Sequence, residues 1–538
     1  MQDRALDIGM LMRRAEGMFA RKRVITATAA GEIVASWGEV VGRARRLAGV
    51  LDLLGVPPGA RVGTFGWNSQ RHLELYLAVP SAGRVLHTLN HRLFAADLTY
   101  IVADAADDVL FVDRSLLPTV WPLMADLPSV RHVVVMADGG AEEIPADPRV
   151  LDYEALLAEV PEPVAAAAVA EDDAASLCYT SGTTGRPKGV LYSHRSIVLH
   201  TLVSLAADSF AISERDVVMP IVPMFHVNAW GLPYAAAMAG ADLVLPGPRM
   251  SPEALAAQLT RHRVTFTAAV PAIWRGLEPL LPGLDLAALR MAVSGGSALP
   301  VSLSRAFAES AGVTLSSSWG MTETSPLVTC ARLASSHDGL DADARREVLC
   351  SPGRAVPLTE VRLVDEDGQL VPHDAVTLGE VQVSGPTIAS GYFGQTPGEA
   401  NVTEDGWLRT GDIGTVDADG YLRIADRTKD LVKSGGEWIS SVTLENEIMA
   451  HPDVLEAAVV AVPDVRWGER PLACVVVAPG RRLAAEDLRA HLAGRVASWW
   501  VPDEFRFVGE IPKTATGKFA KVALRRAVAA GSLPPPAG

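Results

Sequence analysis

The stretch from Tyr179 to Gly189 carries residue types that could bind a phosphate group. It reads Tyr-Thr-Ser-Gly-Thr-Thr-Gly-Arg-Pro-Lys-Gly, so hydroxyl side chains alternate with glycines and lead to a lysine. Glycine lets backbone N–H groups approach a ligand closely, and hydroxyls with a lysine charge complete a cradle for phosphate oxygens. A polar surface turn is the simpler interpretation, but this density of hydroxyls before one lysine favours phosphate binding. The loop residues expected to bind it are Thr180, Ser181, Gly182, Thr183, Thr184, Gly185 and Lys188.

This loop differs from a P-loop, in which a Gly-Lys-Ser/Thr sequence follows the second glycine. Here Pro187 precedes the lysine and Gly189 follows it. The phosphate chemistry is therefore predicted for a different class of nucleotide-binding protein.

A second cluster, from Trp319 to Pro326, combines an aromatic ring with a hydroxyl and a carboxylate. Trp319 offers a flat face to a base, Thr322 a hydroxyl to a phosphate, and Glu323 a hard oxygen ligand to Mg²⁺. A glutamate on a solvated turn is the ordinary alternative. Together with the first loop, the cluster favours nucleotide chemistry.

Three weaker signals lie further along the chain. Asp412 could accept two hydroxyl hydrogens at once, although a turn aspartate is the ordinary interpretation. The glycine pair Gly435-Gly436 follows a predicted strand and permits close approach by a narrow ligand. Lys518 follows a glycine near the C-terminus, where a surface lysine is the usual interpretation.

The segments between these clusters predict a mostly parallel sheet. A helix from Ser36 to Val56 starts with the Ser36–Glu39 spacing of a capping box. A strand at 61–65, a helix at 68–79 and a strand at 85–88 then form a βαβ unit. Further strands are predicted at 109–112, 133–136, 175–179, 217–222, 265–269, 291–293 and 313–317. Because ligands of open α/β sheets bind at the carboxyl ends of strands, the chemical clusters are expected there.

After Gly353 the pattern changes to short alternating segments separated by Asp-Gly turns, which predicts antiparallel strands and a small β-barrel or sheet. From Leu431 onward, helices and strands mix again. The fold class predicted is α/β, with a large multi-subdomain N-terminal domain at 1–425, built of parallel sheets plus the small β-barrel, and a smaller α+β C-terminal domain at 431–538.

Composition excludes some classes of partner. The net charge of −15 argues against nucleic acid, which requires a basic face. The four cysteines form no C-x-x-C pair, so a reduced, cytoplasmic compartment is expected. The longest uncharged apolar run, 229–241, is too short for a transmembrane segment. The oligomeric state stays open, with a homodimer among the alternatives.

In this order and spacing, the clusters resemble the signature motifs of the adenylate-forming superfamily, which includes acyl-CoA synthetases, luciferases and adenylation domains of peptide synthetases. The matches run from about residue 175 to about residue 525. The resemblance implies that ATP and Mg²⁺ bind, that a carboxylate attacks the α-phosphate to give an acyl-adenylate and pyrophosphate, and that a thiol such as CoA then takes the acyl group.

The same resemblance assigns roles to individual residues. It implies that Thr322 contacts the α-phosphate, that Glu323 and Thr180 hold Mg²⁺, and that Asp412 and Arg427 bind the ribose. The residues that it places beside adenine are Gly295, Gly296, Ser317, Ser318, Trp319 and Gly320.

The C-terminal domain is implied to be a mobile lid. Its hinge would be residues 426–430, with Lys429 at the pivot. Lys518 would bridge the acid and the α-phosphate during adenylation and leave when the lid rotates. The loop that follows the hinge is implied to line the pantetheine tunnel. In one orientation of the lid it is also implied to approach the nucleotide, through Lys433, Gly435, Gly436 and Trp438.

The segment from Val222 to Trp230 resembles the gate of long-chain fatty acyl-CoA synthetases. Trp230 would then close an acyl tunnel that Val227 lines, with His226 beside the carboxylate, whereas the alternative is that Trp230 only fills the core. Gly231 departs from the pattern and is expected to widen or reshape the cavity.

A medium- to long-chain fatty acid is therefore the first choice of substrate, and an aryl or cinnamate-type acid the second. A carrier-protein acceptor, nitrite activation for diazotisation and a non-enzymatic nucleotide sensor are the remaining alternatives. A sensor would not need an adenylation lysine.

Overall fold

The computed structural model describes residues 2–180, 186–395, 401–435, 437–513 and 519–535. The helices are α1 (Ile8–Phe19), α2 (Trp37–Leu53), α3 (Gln70–Ser81), α4 (Ala95–Ala105), α5 (Leu117–Val120), α6 (Tyr153–Glu159), α7 (His194–Leu205), α8 (Val227–Trp230), α9 (Leu232–Ala239), α10 (Pro252–Arg261), α11 (Pro271–Leu277), α12 (Val301–Ala311), α13 (Ala342–Cys350), α14 (Ser441–Met449), α15 (Ala485–Leu492) and α16 (Lys521–Ala530).

The strands of the first part of the chain are β1 (Arg23–Thr28), β2 (Gly31–Ser36), β3 (Arg61–Phe65), β4 (Val85–Thr88), β5 (Val109–Asp113), β6 (His132–Met136), β7 (Val150–Asp152), β8 (Ala174–Tyr179), β9 (Gly189–Ser193), β10 (Val217–Pro220), β11 (Asp242–Leu245), β12 (Phe266–Ala269), β13 (Met291–Ser294), β14 (Leu315–Gly320), β15 (Leu327–Cys330) and β16 (Arg354–Ala355). Those of the later part are β17 (Glu360–Val364), β18 (Gly379–Ser384), β19 (Leu408–Val416), β20 (Leu422–Arg427), β21 (Val432–Ser434), β22 (Glu437–Ile439), β23 (Val454–Asp464), β24 (Gly468–Val477) and β25 (Glu504–Phe507).

Two large sheets form most of the molecule, and both are mainly parallel as predicted. The seven-stranded sheet has the order β7-β6-β5-β3-β4-β8-β9, and the nine-stranded sheet has the order β16-β15-β14-β13-β12-β10-β11-β1-β2. Helix α3 contacts β3, β4 and β8 of the first sheet and β1 of the second. All of its residues except Arg71 are buried, so apolar packing on this helix joins the two sheets.

The predicted helix starts are close to those observed. The capping box of Ser36 and Glu39 is present at the start of α2. The next helix begins at Gln70, two residues later than predicted, because the Ser69 side chain caps it by accepting the His72 N–H. Asn68 instead uses its amide to hold the loop after β10, donating to the carbonyls of Pro220 and Val222 at 2.9 Å each.

The antiparallel region after Gly353 is a four-stranded sheet in the order β17-β18-β19-β20. The first and last of these strands are not paired with each other in the described part of the chain, so the prediction of a small barrel is corrected to an open sheet. Closing a barrel requires its first and last strands to pair with each other.

The C-terminal part contains its own sheet, in which β24 pairs with β21, β23 and β25. Helices α14 and α15 pack on one apolar cluster of this sheet and α16 on another. The α+β character of this part agrees with the sequence prediction. Within the described residues, no helix is both long and apolar enough to cross a lipid bilayer.

Candidate active site

A cavity of about 880 Å³ lies at the carboxyl ends of the nine-stranded sheet. The chain passes from β10 to β11 on one side and then crosses to β12 on the other, so the strand order reverses beside β10. Open α/β sheets bind ligands at such a reversal, outside the carboxyl ends of the strands. The loops that follow β10, β12, β13 and β14 all contribute to the wall.

Most of the residues predicted for the site line this one cavity, although they come from distant parts of the sequence. They are Thr180, Lys188, His226, Val227, Trp230, Gly295, Gly296, Ser318, Trp319, Gly320, Thr322, Glu323, Arg427 and Lys429. This arrangement brings the expected phosphate, base and acid contacts into one space.

Glu323 is held in place by groups that the sequence analysis did not identify. The Tyr392 hydroxyl donates to Glu323 Oε1 at 2.7 Å, and the Ala389 N–H donates to the Glu323 carbonyl at 2.7 Å. Burial and the nearby Glu323 charge raise the pKa of Tyr392, so this phenol stays a hydrogen-bond donor at neutral pH. The Lys188 ammonium lies 4.7 Å from the centre of the Tyr392 ring. Lys188, Tyr392 and Glu323 therefore form one contiguous polar wall.

Trp319, Asp412 and Arg427 form a second group at the cavity. The Trp319 indole N–H donates to Asp412 Oδ2 at 3.0 Å. The Arg427 Nε lies 2.5 Å from the other carboxylate oxygen of Asp412. Both oxygens of the Asp412 carboxylate thus lie beside residues that line the cavity. Its 2 % exposure and its two fixed neighbours hold the carboxylate at a defined edge of the site.

The loop after β10 carries His226 and Trp230 in an unusual backbone conformation. From Val227 to Trp230 the φ angles are 46°, 52°, 49° and 55°, so α8 is a single left-handed turn. This conformation costs roughly 1–2 kcal/mol per non-glycine residue, and such strain is common at functional sites. The Ser176 hydroxyl donates to Asn228 Oδ1 at 3.1 Å and helps to hold the turn in place.

Trp230 packs against the glycine that follows β13. A Cβ built on Gly295 would lie 2.7 Å from Trp230 Cη2 and 3.1 Å from the Ser318 carbonyl oxygen. Only a glycine fits between these groups without movement. The Trp230 indole therefore lies directly against the glycine pair that follows β13.

Gly231 does not widen the cavity, and that expectation was wrong. Its φ is 72°, and a Cβ there would lie 2.6 Å from His200 Nδ1. Gly231 thus faces the buried His200 and not the cavity. Glycine is needed here for the backbone conformation and for the close approach of the imidazole.

Part of the cavity wall is formed by apolar side chains. The side chains that form it come from the segment before β10 and from the loops after β10, β11 and β12: Phe210, Ile221, Val222, Met250, Val270 and Ile273. Of these residues, only Val222, at the start of the gate-like segment, was predicted from the sequence. No short pattern could have found them, because each is an ordinary core residue in its local context.

Five of the predicted residues do not line the cavity. Ser317 is buried on β14 and does not line the cavity. Lys433 and Trp438 pair with each other across β21 and β22, with the ammonium 4.8 Å from the indole centre. Neither they nor Gly435 line the cavity in this arrangement. Asp412 does not line the cavity itself, but it contacts Trp319 and Arg427, which do.

The remaining predicted residues lie outside the described part of the chain. They are Ser181, Gly182, Thr183, Thr184, Gly185, Gly436 and Lys518. Thr180 and Arg186, on the two sides of the first gap, line the cavity, as do the residues from Phe519 to Val522 that follow the last of these gaps.

The sequence profile of the AMP-binding enzyme family matches residues 14–393, and that of the AMP-binding enzyme C-terminal domain matches residues 443–518. The chain belongs to the AMP-binding enzyme family. Membership confirms the predicted relationship to the adenylate-forming enzymes and the predicted fold class.

Named members of the family are similar over nearly the whole chain. A long-chain-fatty-acid–CoA ligase of Thermus thermophilus is 48 % identical over 531 residues, covering 98 % of this chain and 96 % of that protein. A 3-methylmercaptopropionyl-CoA ligase of Ruegeria lacuscaerulensis is 42 % identical, covering 98 % of each chain. The solved anthranilate CoA ligase AuaEII in complex with anthranoyl-AMP is 28 % identical, with a TM-score of 0.86 and 98 % coverage of both chains.

Proposed function

We infer that the protein is an ATP-dependent acid–CoA ligase that works through an acyl-adenylate. The observation that carries this inference is the single cavity in which the Glu323 and Trp319–Asp412 groups adjoin an apolar wall. A carboxylate oxygen of the acid attacks the α-phosphorus of ATP, and the bond to the β-phosphate breaks to release pyrophosphate. The sulfur of CoA then attacks the acyl carbonyl, its proton is lost, and AMP leaves as the thioester forms.

We assign the nucleotide contacts by the chemistry of the groups present. The Trp319 ring and the Gly295–Gly296 backbone offer flat surfaces to adenine. Asp412 accepts the ribose hydroxyls, and Thr322 and Lys188 contact phosphate oxygens. Positioned charges and donors of this kind supply much of the rate enhancement in phosphoryl and acyl transfer.

Magnesium fits this site through Glu323 and the phosphates of ATP. No group of three or more His, Cys, Asp or Glu side chains suited to a metal ion occurs among the described residues. Mg²⁺ usually binds one or two carboxylates together with substrate phosphates, so the single carboxylate of Glu323 suffices. When bound, the ion neutralises phosphate charge. Glu323 would hold the ion, with Thr180 as a second oxygen ligand.

We propose a medium- to long-chain fatty acid as the substrate class. The apolar side chains of the cavity wall, among them Phe210, Ile221 and Ile273, offer an alkyl chain a surface without charged groups. An aryl or cinnamate-type acid is the second candidate, because the Trp230 ring, which lines the cavity, offers an aromatic face.

The deciding experiment measures acid-dependent pyrophosphate release from ATP and Mg²⁺, with and without CoA. The panel contains acetate, octanoate, palmitate, benzoate, cinnamate and nitrite. We expect the highest kcat/KM with octanoate or palmitate, and thioester only when CoA is present. Release with nitrite alone, or adenylate formation that CoA does not consume, would contradict the proposal.

Trp230→Ala is expected to change which acids are used, because the indole lines the cavity. The ratio of kcat/KM between octanoate and palmitate should change by about tenfold, within the range that hydrophobic pockets achieve per methylene group. The KM for ATP should stay close to the wild-type value. Trp230→Phe, which keeps an aromatic ring, is the matched control. A uniform loss for every acid together with a lowered Tm would show that Trp230 is only a core residue.

Gly295→Ala is expected to displace Trp230, since the added Cβ would lie within 2.7 Å of the indole. Overpacking of this kind costs about 1–3 kcal/mol, so kcat/KM for the best acid should fall by roughly tenfold. Gly283→Ala is the control, because nothing lies within 4 Å of a Cβ at Gly283. The defect should be smaller when Gly295→Ala is made in the Trp230→Ala background. Equal defects in the two backgrounds would rule out the contact as its cause.

We also propose that the protein works in the cytoplasm. All four cysteines are free thiols, and burial raises the pKa of Cys178, Cys330, Cys350 and Cys474. A reducing compartment suits such a chain. A homodimer remains a proposal that sedimentation at several protein concentrations would test.

A further inference from the structure

A cluster of buried polar side chains links the four-stranded sheet to the C-terminal part of the chain. Asp426 on β20 accepts hydrogen bonds from the Ser441 N–H at 2.6 Å and the Ser441 hydroxyl at 2.5 Å. The Lys521 ammonium donates to the same hydroxyl oxygen at 2.5 Å and lies 2.7 Å from Glu445 Oε1. We refer to Asp426, Ser441, Glu445 and Lys521 as the hinge cluster.

The hinge cluster is shielded from water. Asp426 is 1 % exposed, Ser441 0 % and Glu445 6 %, and the Lys521 side chain is 11 % exposed. Burial alone would lower the pKa of Lys521, but the charges of Glu445 and Asp426 raise it above its ordinary value. The ammonium therefore stays charged. Breaking such a buried pair by removing one partner is strongly destabilising, since the other charge is left uncompensated.

The members of the hinge cluster come from both sides of the proposed hinge at Lys429. Asp426 precedes Lys429 and pairs with Ile413 in the four-stranded sheet. Ser441 and Glu445 lie on α14, and Lys521 begins α16, all beyond the hinge. The Ser440 hydroxyl, which donates to the Ala425 carbonyl, crosses the hinge in the same way. A rotation of the C-terminal part about Lys429 would withdraw these groups from β20.

Lys521 is also close in sequence to the proposed adenylation lysine. It is three residues beyond Lys518 and lines the same cavity as Thr322 and Glu323. Ala520, which directly precedes α16, is held by its backbone N–H, which donates to the Pro512 carbonyl at 2.8 Å. Fixing Lys521 against Asp426 therefore fixes the start of α16 at the cavity.

We propose that Lys521 is a positioning residue for adenylation, which acts through Ser441 and Asp426 to hold the start of α16 at the cavity in the orientation used for that half-reaction. This inference rests on the proposed function. In the orientation that forms the thioester, the contact between Asp426 and the C-terminal part is absent. The hinge cluster therefore favours only the adenylation half-reaction.

The test measures the two half-reactions separately in Lys521→Met, which removes the charge and keeps the length of the side chain. Acid-dependent ATP–pyrophosphate exchange should fall by about tenfold, equivalent to about 1.4 kcal/mol. Thioester formation from pre-formed acyl-adenylate and CoA should be unchanged or faster. A merely structural role would lower both rates together.

Ser441→Ala is the second variant, because it removes the bridging hydroxyl and leaves the Lys521–Glu445 ion pair in place. It should lower only the exchange reaction, and its effect should not add to that of Lys521→Met, since contacting residues couple. Arg506→Met is the control. Its partner Glu504, at 2.6 Å, lies on the same side of the hinge, so neither rate should change.

Three results would overturn these assignments in distinguishable ways. Equal loss of both half-reactions in folded variants would make the hinge cluster a stability element only. Wild-type rates in both halves would remove any role for Lys521 in positioning. Absence of acid-dependent exchange in the wild-type protein would overturn the proposed function and this proposal with it.

Discussion

Lys518→Ala is expected to abolish adenylation almost completely while sparing thioester formation. Charge develops on the α-phosphate only in the first half-reaction, and a lysine at that position stabilises the transition state. Removing one such donor costs about 3–4 kcal/mol, or roughly 10²–10³ in rate. The measurement is acid-dependent ATP–pyrophosphate exchange, compared with the conversion of pre-formed acyl-adenylate and CoA to thioester.

Lys513→Ala provides the control for Lys518. Lys513 lies near the other end of the same segment and pairs with Glu456 at 2.5 Å. Its loss should leave exchange within about twofold of wild type, as for a surface ion pair worth 0–1 kcal/mol. If Lys518→Ala exchanges as fast as Lys513→Ala, Lys518 is a surface lysine. If thioester formation falls equally, the rotating-lid mechanism is wrong for this chain.

Glu323→Gln is expected to have the second largest effect. The substitution keeps the size of the side chain and its contact with Tyr392 but removes the only carboxylate proposed to hold Mg²⁺. We expect kcat for adenylation to fall by about 10²-fold, comparable to the loss of one electrostatic contact in other active sites. The Mg²⁺ concentration needed for half-maximal activity should rise, with partial recovery at high Mg²⁺.

Tyr392→Phe tests how much of the effect of Glu323 depends on the hydrogen bond that orients it, as distinct from its charge at the metal site. Loss of the 2.7 Å hydrogen bond should reduce the rate by about twofold to tenfold, in line with a net contribution of about 0.5–1.5 kcal/mol per hydrogen bond, and leave the Mg²⁺ dependence nearly unchanged. A Glu323→Gln variant with wild-type Mg²⁺ dependence would exclude Glu323 from the metal site.

The sequence alone determined the chemistry that this chain presents and much of its secondary structure. The phosphate-type loop before Gly189, the cluster around Glu323 and the charged segment around Lys429 are defined by neighbours only a few residues apart. Hydrophobic periodicity is local in the same sense, so the βαβ unit and the capping box at Ser36 could be predicted directly.

Only the tertiary structure decided which groups meet. Tyr392 contacts Glu323 across 69 positions of sequence, and Lys521 reaches Ser441 across 80. Gly231, which the sequence suggested as part of the cavity, faces His200 instead. Such contacts depend on how whole sheets and helices pack, and a residue's local pattern carries no record of the distant side chain that will lie against it.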